Sequence, residues 1–204
     1  MRLGILGPAQ GNLPALARAA QRLLDEVQAE KVLYLAEDGA LERVVASWAR
    51  GIVGEDTEEQ SIFERAARKC AQATSEEIDA FVALERARLR LKVLATLPVG
   101  QRTIEILGGR VALFVYDRDG LSDLDMAGAA MLVFGKSEEP VLQRVGTRVF
   151  MAPGVIGSKS GGALVLDDSG SGIRVEIVNA NGAVTLREMI AGPGAKPRAG
   201  VGDA

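Results

Sequence analysis

The residues of this chain whose types could do chemistry fall in a few short runs. Glu37 and Asp38 follow the apolar run "KVLYLA", and Glu138 sits in "GKSEEP"; three such carboxylates could surround one hard cation such as Mg²⁺ or Mn²⁺. Lys136, beside Glu138, and Gln10, in "LGPAQGN", offer donors that with loop amides could hold a phosphate or nucleotide without cleaving it. Cys70 is the single thiol, but it lies in the helical run "EQSIFERAARKCAQA" with no activating group nearby, and it reads as ordinary packing or surface. The sequence holds no histidine. That removes the commonest general base near neutral pH and the commonest borderline metal ligand, so histidine-based mechanisms are excluded.

The elements around these residues follow from periodicity. "RLGIL" has the apolar character of a buried strand, and "NLPALARAAQRLLDEV" then places Leu13, Leu16, Ala20, Leu23, Leu24 and Val27 near a 3.6-residue period. "KVLYLA" supplies a second buried strand and "ALERVVASWARG" a second helix, so two βα units in a row predict a parallel pair of strands joined by a right-handed crossover. From about Thr57 to Leu94 the chain is charged and helical, with a break at "ATSEEI", where Thr74 or Ser75 can cap a second helix supported by Glu76 or Glu77. "ERARLRLK" reads as a solvated helix face beside a buried one rather than a nucleic-acid contact.

After "LPVGQ" the pattern turns to short strand-like runs: "RTIEIL", "RVALFVY", "AMLVFG", "VLQRV", "RVFMA", "GGALVLD", "IRVEIV" and "AVTLRE". Gly108-Gly109 fits a tight hairpin, Asp168 to Gly172 a looser one, and Asn181-Gly182 a type I′ turn. A net charge of −3 and balanced hydrophobicity give no sign of disorder or of a generally basic surface. No apolar run is long enough to span a membrane, and one cysteine excludes an internal disulfide, which points to the cytoplasm. The expectation is a single domain over 1–190, with a helical segment at 57–95 inside it and a flexible tail at 191–204 too rich in Gly, Ala and Pro to pack.

Taken in order, "GILGPAQGNLPAL", "KVLYLAED", "IEILGGRVALFVYD", "AGAAMLVFGKSEEPVLQRVGTRVFMAPGVIG" and "GGALVLDDSGSGIRVEIV" resemble the calcineurin-like metallophosphoesterases, in particular their small bacterial branch. The match is collinear over about residues 1–55 and 97–190. The resemblance implies an α/β (α+β) fold, a four-layer αββα sandwich, here with an added helical segment. It also implies loops in which Asp, His and Asn hold two divalent metals that activate a water and clamp a phosphate.

Residue by residue, the turn formers of that family are present and the ligands are replaced. Where the family shows DxHGN, this chain has Pro8-Ala9-Gln10 before the matching Gly11 and Asn12. Its Gly-Asp pair becomes Ala36-Glu37, a carboxylate on a longer arm that could still bridge, followed by Asp38. For GNH the candidates are Gly51-Ile52-Val53 and Gly54-Glu55-Asp56, neither with Asn-His. Val115 replaces the histidine after the "VALF" strand, GHTHxP reads Gly135-Lys136-Ser137-Glu138-Glu139-Pro140, and the NPGSVG segment reads Ala152-Pro153-Gly154-Val155-Ile156-Gly157. Pro8, Ile52 and Val115 have no lone pair to donate. An ammonium at Lys136 would repel a dication at about 4 Å by about 8 kcal/mol at an effective dielectric of 20.

The resemblance therefore implies a catalytically inactive member without catalytic residues, metal or other cofactor, acting as a protein-binding, scaffolding or regulatory subunit. The phosphoesterase-fold subunit of the retromer complex is a family-level precedent. Its partner is an unidentified protein or a second copy of the chain, with neither nucleic acid nor membrane involved; the middle helices are either a lineage-specific surface for it or simply a cap on the sandwich. Two alternatives stay open: a metal-independent phosphate or nucleotide sensor using Gln10 and Lys136, and a weak phosphoesterase using Glu37, Asp38 and Glu138 around Mg²⁺ or Mn²⁺. Under the first reading the vacated pocket is filled by Pro8, Ile52 and Val115, with Lys136 paired to Glu37, Glu138 or Glu139.

Overall fold

A computed structural model describes residues 1–55, 57 and 61–191. In chain order they form β1 (Arg2–Leu6), α1 (Leu13–Asp25), β2 (Lys31–Tyr34), α2 (Ala40–Val53), α3 (Ile62–Cys70), α4 (Ser75–Arg90) and β3 (Leu94–Thr96). The strand-rich half follows with β4 (Arg102–Leu107), β5 (Arg110–Val115), α5 (Asp123–Met126), β6 (Met131–Phe134), β7 (Val141–Val145), β8 (Arg148–Ala152), β9 (Ala163–Asp167), β10 (Gly172–Val178) and β11 (Val184–Ala191). One sheet has the order β11-β10-β9-β1-β2-β3 and the other β4-β5-β6-β8-β7. The β1–β2 pair is parallel, as two successive βα units require.

The sheets pack face to face because their strands alternate. Leu3 and Ile5 of β1, Leu33 of β2, Ala112 and Phe114 of β5 and Leu164 and Leu166 of β9 point into one shared core. The opposite face of the first sheet, with Leu6, Val32 and Tyr34, packs against Leu16, Leu23 and Leu24 of α1 and Leu41 and Val44 of α2. On the outer face of the second sheet Leu113, Val115, Leu132 and Phe134 are covered by Leu121, Met126 and Ala129 from the 116–130 connection. This is the αββα order, with its fourth layer reduced to the four-residue α5 and its flanks.

Several expectations are corrected here. The helical segment stops short of residue 95, because Leu94–Thr96 pairs in parallel with Val32–Tyr34 as the edge of the first sheet. The solvated face expected in "ERARLRLK" is interrupted by Glu85 and Arg88, which are buried in an ion cluster with Arg65 of α3. Thr74 does form a capping box with Glu77. At Gly108-Gly109 both residues take positive φ (53° and 73°) in a two-residue loop, as a type I′ hairpin needs. At 179–183 only Gly182 does (84°), and Gly182 N–H donates to the Asn179 carbonyl at 2.9 Å, so this is a longer hairpin with glycine at its left-handed position and not a type I′ turn. Of the expected tail, Ala191 ends β11 and 192–204 lie outside the described residues.

A charge triplet clamps three neighbouring strands. Asp167 at the end of β9 is 4% exposed and accepts from Arg2 Nε of β1 at 3.2 Å and Arg174 Nη2 of β10 at 2.7 Å. Burial opposes its ionisation, but hydrogen bonds from Ser169 and Arg2 and the charge of Arg174 outweigh that and hold the carboxyl at about 2, against 3.8 ordinarily. A depressed pKa contributes stability in full above the unfolded value, and that contribution is lost as pH falls through the folded value. The stability difference between the wild type and Asp167→Asn should therefore shrink by about 2 kcal/mol between about pH 5 and pH 2. Urea unfolding across that range measures it, and a difference that does not change with pH contradicts this assignment.

Candidate functional site

The loops after β1, β2, β3, β5, β6 and β8 meet at one end of the two sheets, where strand ends leave backbone groups unpaired and loops must supply partners. Gly7 N–H donates to the Gly162 carbonyl at 3.0 Å, and the Pro8 carbonyl accepts from Ile156 N–H at 2.9 Å, which ties the first loop to the segment after β8. Lys136 N–H donates to the Tyr116 carbonyl at 2.8 Å, and Val155 N–H to the Glu138 carbonyl at 3.2 Å. Asn12, one of the residues matching the family motif, caps α1 by accepting from Ala15 N–H at 3.2 Å. Pro14 in the first turn of α1 suits it, since an N–H there needs no helical partner.

The structure gathers most of the sequence-predicted residues. Pro8, Gln10, Glu37, Lys136 and Glu138 line one open cleft of about 550 Å³ together with Asp38 and Tyr116. Two candidates lie elsewhere. Ile52 is inside α2, packed with the core that includes Trp48, so Gly51-Ile52-Val53 is helix and not a loop of this site; of the second candidate, Gly54-Glu55-Asp56, Asp56 lies outside the described residues. The third loop is Leu97–Gly100, following β3, where Gly100 N–H reaches Glu37. Val115 is 4% exposed and packs on the outer face of the second sheet; it is not part of this cleft but lines the adjoining cavity with Glu37, Gly100 and Asp117.

The expectation of a filled pocket fails for these reasons: neither Ile52 nor Val115 is available to fill it, and Pro8 stays half-buried at its edge. Lys136 also takes a different partner. Its Nζ donates to Asp117 Oδ2 rather than to Glu37, Glu138 or Glu139. That contact raises the lysine pKa and lowers that of Asp117, which also accepts from Asp119 N–H at 2.9 Å.

Two carboxylates of the cleft, Glu37 and Asp38, hold loops. Glu37 Oε1 accepts from Gly100 N–H at 2.7 Å. Asp38 Oδ1 accepts from Ala40 N–H and from the Tyr34 hydroxyl, both at 3.0 Å. The Tyr34 oxygen in turn accepts from Ala9 N–H at 3.0 Å, so one buried phenol joins the first loop to the second. Burial drives the Tyr34 pKa far up, the hydrogen bond from Ala9 N–H opposes it, and the Asp38 carboxylate adds to it, so Tyr34 stays protonated and donating. Sequence reasoning missed Tyr34 and Asp117. The signal for the first was a tyrosine at a buried position of an otherwise aliphatic strand, four residues before an aspartate.

This donor set does not fit a two-metal centre. Among the described residues no three of His, Cys, Asp and Glu are grouped to hold a metal ion. Glu37 Oε1 and the Asp38 carboxylate already accept from protein donors, and an ammonium stands in the same cleft.

No protein-family model and no curated protein sequence matches the chain. Among solved structures it is similar to a conserved protein of Streptococcus pneumoniae TIGR4 described as a predicted phosphoesterase, at 12% identity over 93% of this chain and 97% of that one, with a TM-score of 0.50. The chain has the metallophosphoesterase fold. Other similar structures are an archaeal phosphodiesterase (14% identity, 94% and 99% covered, TM-score 0.45) and Vps29 from Chaetomium thermophilum in complex with a cyclic peptide (12%, 93% and 95%, TM-score 0.44). No helix of the described residues is long and apolar enough to cross a membrane.

Proposed function

We propose that this protein is a catalytically inactive metallophosphoesterase-fold protein that acts as a protein-binding or scaffolding subunit. The observation that carries the reading is the use of the cleft's acids: Glu37 and Asp38 fasten the loops after β3 and β1, where a phosphoesterase needs free ligands for metal. Metal would have to compete with those hydrogen bonds and with Lys136.

The charge of the cleft argues against the phosphate-sensing alternative. Glu37, Asp38 and Glu138 surround Lys136, whose own charge is answered by Asp117, so the local field disfavours an anion and suits a Lys or Arg presented by a partner. The purified protein should hydrolyse no generic phosphodiester with or without Mn²⁺ or Mg²⁺. Phosphate, nucleotides and divalent cations should leave its melting temperature unchanged, whereas a ligand at a hundred times its dissociation constant adds about 2.7 kcal/mol. Mn²⁺-dependent turnover abolished by Glu37→Gln would overturn the reading in favour of a weak hydrolase. A nucleotide-dependent shift removed by Lys136→Ala would overturn it in favour of a sensor.

A further inference from the structure

Helix α4 carries an apolar row that the rest of the chain leaves half open. Ile78, Val82 and Leu89 are four and seven residues apart, so at 3.6 residues per turn they project within about 40° of one another. They remain 38%, 37% and 38% exposed. Glu85 falls in the same row but is held under Arg65 of α3, which closes one side of it. The other side is bordered by Asp79 and Arg86, also seven residues apart, both exposed and outside every ion pair formed among the described residues. Along the helix the exposed acids Glu76, Glu77 and Asp79 occupy the first half and the exposed Arg86 and Arg90 the second, Arg90 also reaching Asp25 of α1, while Arg88 is buried against Glu85.

We infer that this row is a contact between two copies of the chain, related by a two-fold axis beside Val82 with their α4 helices antiparallel. One register then satisfies both parts of the surface. Ile78 faces Leu89 of the second copy, the two Val82 side chains flank the axis, and Asp79 faces Arg86 of the second copy twice over by symmetry. The charge pattern selects the occupant. Parallel pairing would set acid on acid and arginine on arginine, and a uniformly acidic or basic partner would suit only half of the helix. The sequence that complements both halves is this same helix reversed, which also opposes the two helix dipoles. A contact confined to one helix per copy is at the small end of interface sizes, below about 1,200 Å² in total, so the dimer is reversible. This inference does not rest on the reading of the loop cluster.

Sedimentation equilibrium of the full chain from about 1 to 200 µM tests it, because a reversible dimer is governed by mass action. The weight-average mass should rise from one chain toward two across that range. Val82→Glu should hold it at one. Asp79→Arg and Arg86→Asp should each weaken association by about tenfold, and the two together should restore it, since the swapped charges again face each other. Phe63→Ser should change nothing: Phe63 is 80% exposed but sits two residues from Arg65, about 200° around α3, and so points away from α4. Circular dichroism verifies that each variant is folded. A wild-type mass of one chain throughout, a mass beyond two, a double variant that fails to recover, or loss of association in Phe63→Ser would each overturn the inference.

Discussion

Gly135→Ala should destabilise this protein by at least about 3 kcal/mol, which for a chain of this size lowers the melting temperature by about 6–12 °C. A Cβ at Gly135 would stand 1.9 Å from the Leu35 carbonyl oxygen, 2.8 Å from its carbonyl carbon and 2.7 Å from its Cβ. Two of these three atoms are backbone, in the segment leaving β2, and backbone cannot swing aside as a side-chain tip does. The φ of Gly135 is not positive, so what the position requires is room and not unusual backbone freedom. Gly7 poses the same demand in the first loop, where a Cβ would meet the Gly154 carbonyl oxygen at 1.9 Å, and Gly7→Ala should fail similarly. Gly128→Ala is the control, because nothing lies within 4 Å of the place its Cβ would take and its φ is ordinary. Thermal unfolding of the three variants checks this. A Gly135→Ala protein melting within a degree or two of Gly128→Ala would show that the two sheets tolerate a wider separation at that end.

These close approaches give Gly135 and Gly154 a structural reason that is independent of any chemistry in the loops. Gly7, Gly135 and Gly154 lie where the loops of the two sheets come nearest, and their constraint is set by the sandwich itself.

Most of the strands were legible because each short apolar run is bounded by turn chemistry. "RLGIL", "RTIEIL", "VLQRV" and "RVFMA" coincide with β1, β4, β7 and β8 residue for residue. The strand β3 was not legible. Three residues give no period, and what makes Leu94–Thr96 a strand is its parallel pairing with β2, a contact across some sixty positions of sequence. That omission propagated into the site: with β3 unseen, the third loop was sought before the helical segment, and Ile52 was assigned to a cleft it does not touch. Val115 lies beside the cleft of Lys136, in the cavity it shares with Glu37, and not in the cleft itself. Its position along β5 was right, but which face it joins depends on strand parity across two stacked sheets, and Leu113 and Val115 share the outer one.

Glu85→Ala should cost about 3–5 kcal/mol, because it removes the anion shared by two arginines that are only 6% and 7% exposed. Glu85 is 5% exposed and accepts from Arg65 Nε at 2.7 Å, Arg65 Nη2 at 3.1 Å and Arg88 Nε at 2.8 Å. The bidentate Arg65 contact is the largest influence lowering the glutamate pKa; burial opposes it and Arg88 adds to it. Arg88 is itself 7% exposed and its Nη2 already lacks a hydrogen-bond partner, so removing Glu85 takes away the anion that makes its burial tolerable. The cluster also fixes how α3 lies along α4, and with it the orientation of the apolar row on α4. The wild type and Glu85→Ala should therefore differ most in hydrogen exchange over α3 and α4, with β1 and β9 less affected, since those strands are anchored in a separate core. Replacing all three charges together, as Arg65→Met, Glu85→Leu and Arg88→Met, should recover much of the loss, because an apolar cluster of similar volume needs no countercharge. Urea unfolding of the single and triple variants decides the matter: a Glu85→Ala protein as stable as the wild type, or a triple variant less stable than the single one, would mean that the ion cluster is not what holds these helices together.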